Sequence, residues 1–98
     1  METKIDYWVY ILRCADGSYY IGSTRDLERR LRAHEEGRAA AYTARRLPLK
    51  LAYSEKHGTM EAARQREPQI KRWSRKKKEA LIKGNTEGLK SVSKRRVS

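Results

Sequence analysis

The chain has 98 residues, and its 24 Lys and Arg against 12 Asp and Glu give a formal net charge of +12. With only 38% hydrophobic residues it can form one domain with a thin core, which excludes a buried catalytic barrel or a second domain. No apolar run is long enough for a membrane helix, so we expect no membrane partner. The positive charge indicates a phosphate-rich partner, most often nucleic acid. Because the single cysteine, Cys14, cannot form an internal disulfide, we expect a reducing, cytoplasmic setting.

The first predicted elements are the two strands of a β-hairpin. Residues 7–14 are rich in β-branched and aromatic side chains, which favours a strand. Residues 15–17 are typical of a turn, and residues 18–22 predict the returning strand.

The length of the hairpin loop decides which side chains share a face of the sheet. A two-residue loop would place Tyr10 and Tyr20 on opposite faces, because a slip of one residue reverses every side chain. A three-residue loop, with Gly17 in the left-handed conformation, pairs Tyr10 with Gly22 and brings both tyrosines to one face. We predict the three-residue loop.

A helix is predicted next, from about residue 26 to residue 36. Ser23 or Thr24 can cap its first turn, and Gly37 is placed to end it. The basic segment that follows, residues 38–46, is predicted as a surface loop, although its alanines are compatible with a helical turn.

The second half of the domain begins with a third strand. Pro48 opens this strand, residues 49–54, in which apolar and polar side chains alternate. Thr59 is a good cap for a helix over residues 60–73, in which Pro68 removes one backbone hydrogen bond and predicts a kink or break.

One more helix completes the predicted domain. Ser74 is the expected cap of this helix, which covers residues 75–83 and is ended by Gly84. In chain order the elements predict an α+β fold, a small three-stranded antiparallel β-sheet flanked by helices in the order ββαβαα, over residues 1–85. Residues 86–98 form a basic C-terminal tail with almost no apolar periodicity, which we expect to be flexible.

Two tyrosine tripeptides and two helical residues follow one another at regular spacing. The tyrosines that end Trp8-Val9-Tyr10 and begin Tyr20-Ile21-Gly22 are ten residues apart, Arg30 follows after ten more, and His34 lies four beyond it on the same helix edge. With Glu67 on a later helix, this pattern resembles the signature of the GIY-YIG endonucleases, in particular their small, single-domain bacterial members. The chain departs from the signature at Trp8, where the family has glycine. The resemblance implies a three-stranded antiparallel sheet packed with helices and an enzyme that hydrolyses phosphodiester bonds.

By this resemblance, the catalytic residues are Tyr10, Tyr20, Arg30, His34 and Glu67. Tyr10 would act as the general base, although a free phenol has a pKa of about 10 and needs nearby cations or a proton relay at neutral pH. Tyr20 would orient the water or the phosphate, and His34 would accept a proton from Tyr10 or bind the phosphate. Arg30 would offset charge in the transition state. Glu67 would hold one divalent ion, Mg²⁺ or Mn²⁺, because Mg²⁺ keeps most of its waters and needs few carboxylates.

Each of these assignments has a plainer structural alternative. Without the spacing, Tyr10 would be an ordinary strand aromatic, and Arg30 would be one of several arginines on a solvated helix face. A proline follows Glu67 and biases it away from helical geometry, so Glu61 on the same helix is the fallback metal ligand. His57 fits no position of the signature, and we interpret it as an ordinary surface residue.

Other residues are expected to bind the substrate. Gly22 would let the substrate backbone approach closely. Asn85 resembles a late asparagine that supports such sites, although it fits a helix end equally well. The basic and aromatic residues would contact phosphates, which contribute affinity but no sequence information. The full set is Gly22, Ser23, Arg38, Tyr42, Arg45, Arg46, Lys71, Lys76 and Asn85.

We therefore expect a divalent-metal-dependent endonuclease that cleaves DNA in preference to RNA with low sequence specificity. We extend this expectation to selectivity for nucleic-acid structure and to a role in repair. The first alternative is a catalytically inactive nucleic-acid-binding module of the same fold, with Pro68 as the lesion. The second is a basic structural partner in a ribonucleoprotein. The oligomeric state stays open.

Overall fold

A computed structural model of the chain describes residues 5–84, which form a three-stranded antiparallel sheet with helices on both faces. The strands are β1 (Tyr7–Arg13), β2 (Tyr19–Thr24) and β3 (Lys50–His57), in the order β2-β1-β3. The helices are α1 (Leu27–Glu35), α2 (Ala41–Ala44), α3 (Met60–Lys71) and α4, which begins at residue 75 and reaches residue 84. The predicted α+β fold is confirmed, with α2 as a short added helix. Asn85 and the predicted tail, residues 86–98, lie outside the described residues.

The hairpin between β1 and β2 has the predicted register. Tyr10 is paired with Gly22 and Leu12 with Tyr20, so Tyr10 and Tyr20 lie on one face. Gly17 adopts a φ of 87°, the left-handed conformation that a three-residue loop requires at this position.

The two faces of the sheet are covered by different helices. On one face Val9, Ile11 and Ile21 pack with Ala63 and Ile70 of α3 and form the hydrophobic core. The alternation of β1 sends Tyr10 and Leu12 to the other face, where α1 and α2 lie. Because β1 is the central strand, its middle residues are buried on both faces, Val9 and Ile11 on one and Tyr10 and Leu12 on the other.

The cap of α1 differs from the prediction. Asp26 caps this helix, and its side chain accepts a hydrogen bond from the backbone N–H of Arg29 at 3.1 Å. Ser23 and Thr24 were the expected caps, but both still belong to β2. The Thr24 hydroxyl instead accepts from the N–H of Asp26 at 3.1 Å, so it stabilises the turn before the helix.

The third strand is longer than predicted, and the segment before it contains a short helix. Residues 38–46 contain the helical turn of α2, which their alanines allowed. β3 runs to His57 rather than ending at residue 54, because it pairs with β1 along its whole length as far as Tyr7.

The helix α3 passes through Pro68 without a break, so of the predicted kink or break, the break is wrong. Thr59 caps the helix as predicted and accepts from the N–H of Ala62 at 3.1 Å. Pro68 lies in the last turn, where only a short stretch of helix follows the missing hydrogen bond. The helix ends at Lys71, and Ser74 then caps α4, as predicted.

Candidate active site

The two tyrosines of the hairpin meet one histidine of α1. The hydroxyl of Tyr10 lies 2.8 Å from Nε2 of His34. The ring of Tyr20 packs edge-on against the same imidazole, with the ring centroids 5.2 Å apart. The hairpin register and the position of His34 on the buried side of α1 therefore bring these residues together, as the spacing in the sequence predicted.

Gly22 makes room for Tyr10. A Cβ at residue 22 would lie 2.5 Å from the Tyr10 hydroxyl oxygen and 2.7 Å from its ring carbon Cζ. Because Tyr10 is fully buried, its ring cannot turn out into solvent to avoid this contact. The space beside Gly22 is thus filled by Tyr10, whereas the sequence suggested that it admits the substrate backbone.

Thr43 of α2 contacts the other nitrogen of His34. Its hydroxyl oxygen lies 2.8 Å from Nδ1, and the threonine and histidine are 0% and 1% exposed. The sequence analysis did not identify Thr43. No local pattern distinguishes this threonine, because its partner lies nine residues away on another helix.

Burial shifts the proton equilibria of the Tyr10–His34 pair. Burial, reinforced by Tyr20, raises the pKa of Tyr10 to about 12, although the Arg30 guanidinium acts in the opposite direction. Burial also lowers the pKa of His34, and the positive charge of Arg30 lowers it further. At neutral pH the pair therefore consists of a neutral phenol and a neutral imidazole.

Glu67 points to β2 rather than outward. Its Oε1 accepts a hydrogen bond from the Ser23 hydroxyl at 2.6 Å, and its Oε2 lies 2.8 Å from the Lys71 ammonium. Burial opposes ionisation of this carboxyl, but the hydrogen bonds from Lys71 and Ser23 outweigh it and lower the pKa of Glu67. Ser23 and Lys71, both expected to bind substrate, thus hold the carboxylate.

A divalent ion would have one carboxylate to bind in this site. Residues 5–84 contain no group of three or more His, Cys, Asp or Glu side chains that could hold a metal. Mg²⁺ accepts such a site, because it keeps several waters and takes its remaining ligands from substrate phosphates. Glu67 is an ionised, positioned oxygen ligand, so its chemistry fits one such ion. Glu61, the alternative ligand, is exposed in the first turn of α3, about 9 Å away along the helix axis.

Arg30 lies at the exposed edge of the site. Its positive charge acts to lower the pKa of Tyr10, His34 and Glu67. It lines an open pocket of about 220 Å³ together with Arg25 and Arg64.

The three arginines of this pocket are available to an anion. Among residues 5–84, Arg25, Arg30 and Arg64 form no salt bridge within 4.0 Å. Sequence analysis did not single out Arg25 and Arg64, because 24 basic residues offer no local contrast.

Tyr42 and Arg46 enclose the site from the side of α2. Tyr42 stacks on Tyr20 with the ring centroids 6.1 Å apart, and the Arg46 guanidinium lies 3.8 Å from the Tyr42 ring centre. Arg46 also donates to Asp16 in the hairpin loop at 3.0 Å. Their predicted role in substrate binding stays a prediction; in the structure Tyr42 contacts Tyr20, and Arg46 contacts Tyr42.

Three further expected substrate contacts lie on the surface. Arg38 pairs with Glu36 at 2.6 Å, and Arg45 and Lys76 are exposed. Asn85 lies outside the described residues.

Two adjacent residues connect α3 to both outer strands. Arg66 donates to Glu55 of β3 at 2.8 Å, while Glu67 bonds to Ser23 of β2. His57 also bonds to Glu55, at 2.7 Å, so it belongs to this network rather than to the free surface. The network fixes the rotation of α3 and with it the direction of the Glu67 side chain.

Comparison with known proteins identifies the family of this chain. The profile of the GIY-YIG catalytic domain matches residues 6–80. The chain belongs to the GIY-YIG family. The matched part of this GIY-YIG chain contains all five residues to which the sequence analysis gave catalytic roles.

Relatives of similar size include two UPF0213 proteins. The one from Bacillus pumilus is 46% identical over 79 residues, which cover 81% of each chain. The one from Natronomonas pharaonis is 44% identical over 81 residues, which cover 83% of this chain and 95% of the relative.

Two solved structures, both determined by NMR, share the fold. A protein of E. faecalis has a TM-score of 0.59 and 39% identity, with coverage of 88% of this chain and 92% of the other. A UPF0213 protein of Bacillus halodurans has a TM-score of 0.54 and 40% identity, with coverage of 81% and 84%. In the part of the chain that the structure describes, no helix has the length and apolar character needed to cross a bilayer.

Proposed function

We propose that this GIY-YIG protein is an endonuclease that hydrolyses phosphodiester bonds in nucleic acid, DNA in preference to RNA. The observation that carries the proposal is the buried hydrogen bond between Tyr10 and His34, next to a guanidinium and an ionised carboxylate. Phosphodiester hydrolysis needs a proton acceptor for water and positive charge for the transition state, and these residues supply both.

Tyr10 works as a base only together with His34. With a pKa of about 12, roughly one phenol in 100,000 is ionised at pH 7. Tyr10 therefore accepts a proton from the attacking water as it passes its own proton to Nε2 of His34, which lies 2.8 Å away. The neutral imidazole is ready to accept that proton, because burial and Arg30 lower its pKa.

Arg30 and Glu67 balance the charge of the phosphate. The Arg30 guanidinium offers a planar set of donors for the phosphate oxygens at the exposed edge of the site. A divalent ion, Mg²⁺ or Mn²⁺, held by Glu67 would stabilise the developing charge on phosphate oxygens and the leaving oxygen. Lys71 keeps Glu67 ionised and supplies further positive charge beside it.

Low sequence specificity follows from the chemistry of the surface. A net charge of +12 and exposed arginines favour contacts to phosphates, which carry no sequence information. Selectivity then has to come from the shape of the substrate, such as a branch or a lesion, which suits a repair enzyme. The lone, buried thiol of Cys14 is compatible with a cytoplasmic enzyme.

The test is nicking of single-stranded, duplex and branched DNA, and of matching RNA, with Mg²⁺ or Mn²⁺ and with chelator. Wild type should nick DNA only with the metal, and Glu67→Gln should bind DNA but not nick it. Glu61→Gln, on the same helix, should behave as wild type. Equal nicking by wild type and Glu67→Gln would contradict the metal assignment. Salt-sensitive binding without cleavage under either ion would identify an inactive binding module.

A further inference from the structure

The position of the hydrogen on the His34 ring follows from the hydrogen bonds of the Thr43 hydroxyl, which contacts Nδ1. The Thr43 hydroxyl lies 3.2 Å from the backbone carbonyl oxygen of Ala40, which can only accept. The hydroxyl has one proton, and this proton points to Ala40. Its oxygen therefore accepts from His34, and Nδ1, at 2.8 Å, carries a hydrogen.

The other side of His34 agrees with this assignment. A neutral imidazole with its hydrogen on Nδ1 has a free lone pair on Nε2. The Tyr10 hydroxyl, which lies 2.8 Å from Nε2, is then the donor of the hydrogen bond between them.

Burial and the fold keep this arrangement in place. Tyr10 and Thr43 are 0% exposed and His34 is 1% exposed, so bulk water does not compete for these hydrogen bonds in the protein without substrate. The backbone of Thr43 is itself anchored, because its carbonyl accepts from the N–H of Arg46 at 3.0 Å.

Other groups face His34 but do not form the hydrogen bond to Nδ1 that Thr43 forms. Tyr20 of β2 contacts the ring edge-on, and Arg30 of its own helix acts through charge. The neighbours from the third strand and the residue before it are the apolar Leu51 and Leu49, with Glu35 of α1 beside them. Thr43 is the side chain among these with a hydrogen bond to Nδ1.

We propose that Thr43 is a positioning residue that fixes His34 in the Nδ1–H tautomer and so leaves Nε2 free to accept the Tyr10 proton. In the opposite tautomer Nε2 carries a hydrogen and cannot accept a proton, so the relay from Tyr10 stops. The catalytic consequence rests on the proposed endonuclease activity, whereas the tautomer itself is a property of the protein without substrate.

Nitrogen-15 NMR of the histidine side chains in the full chain tests the tautomer directly. In wild type, Nδ1 of His34 should have the shift of a protonated ring nitrogen and Nε2 that of an unprotonated one. Thr43→Val, which keeps the shape but lacks the hydroxyl, should show a mixed or reversed tautomer. Thr43→Ser, which restores the hydroxyl, should return the wild-type spectrum.

Kinetics separate this role from a purely structural one. Thr43→Val should lower kcat by about 10- to 100-fold with little change in KM, and Thr43→Ser should recover most of it. A wild-type spectrum with the hydrogen on Nε2 would overturn the proposal, even if Thr43→Val failed to fold. An unchanged tautomer in folded Thr43→Val would also overturn it. The expected spectra in a protein that cleaves no nucleic acid would support the role of Thr43 and refute the endonuclease.

Discussion

The Tyr10 hydroxyl and Nε2 of His34 lie 2.8 Å apart in the buried part of the molecule, with the residues 24 positions apart in the chain. Neither group is charged at neutral pH, because burial raises the pKa of Tyr10 and lowers the pKa of His34. Both shifts favour a hydrogen bond between neutral partners, which is the starting state of the proton relay that we propose. Four predictions follow from this relationship and from the residues that surround it.

Tyr10→Phe should abolish cleavage and modestly destabilise the fold. The substitution removes the relay, for which we expect a loss of at least about 100-fold in kcat. It also leaves Nε2 of His34 buried without its partner, which costs about 1–3 kcal/mol. Nicking assays and urea unfolding measure the two effects. Tyr19→Phe, on the opposite face of β2, is the control and should retain cleavage.

Gly22→Ala should damage the site although it adds a single methyl group. The new Cβ would lie 2.5 Å from the Tyr10 hydroxyl, so the buried tyrosine or the β2 backbone must shift. We expect a loss of about 1–3 kcal/mol in the free energy of unfolding and of most nicking activity. Gly58→Ala is the matched control, because a Cβ there meets nothing within 4 Å. Wild-type stability and activity in Gly22→Ala would show that Tyr10 is not held as described.

Acid should weaken the fold through His34. Burial, and then Arg30, lower the pKa of His34 from its ordinary value of 6.5, so the unfolded chain binds the proton first. The free energy of unfolding should therefore begin to fall as the pH drops below about 6.5 and continue to fall until the pH passes the lower folded pKa.

Urea unfolding between pH 5 and pH 8 measures the effect of His34. The carboxyl groups of Glu55 and Glu67, whose pKa values are lowered from 4.5, act at more acid pH and do not interfere. His34→Gln, which does not titrate, should show a flatter dependence in this range. An equal slope in both proteins would exclude His34 as its source.

The arginine pocket should contribute to DNA affinity. Arg25→Ala and Arg64→Ala should each weaken binding to all DNA sequences to a similar degree. Each should also make the slope of log K against log salt less steep by about 0.9, because one phosphate contact is lost. Arg32→Ala, an exposed position of α1 outside the pocket lining, is the control. Binding isotherms from about 50 to 200 mM salt measure the slopes. An equal change in all three variants would mean that the pocket has no special role.

The sequence was sufficient for features that depend on neighbouring residues. The turn at Gly17 determines the hairpin register, and the register determines that Tyr10 and Tyr20 share a face. Helical spacing likewise aligns Arg30 with His34. These relations are set by backbone geometry over a few residues, and together they were enough to identify the family.

Tertiary structure alone decided the contacts that complete the site. Ser23 and Glu67 meet although they are 44 positions apart, and Thr43 reaches His34 from a different helix. Such contacts depend on how the helices pack on the sheet, so the spacing of nearby residues in the sequence does not predict them. The continuity of α3 through Pro68 also depends on tertiary structure. Local propensity predicted a kink or break at this proline, but Pro68 lies in the last turn of a continuous helix. The bonds of Arg66 and Glu67 to the two outer strands hold this helix in place.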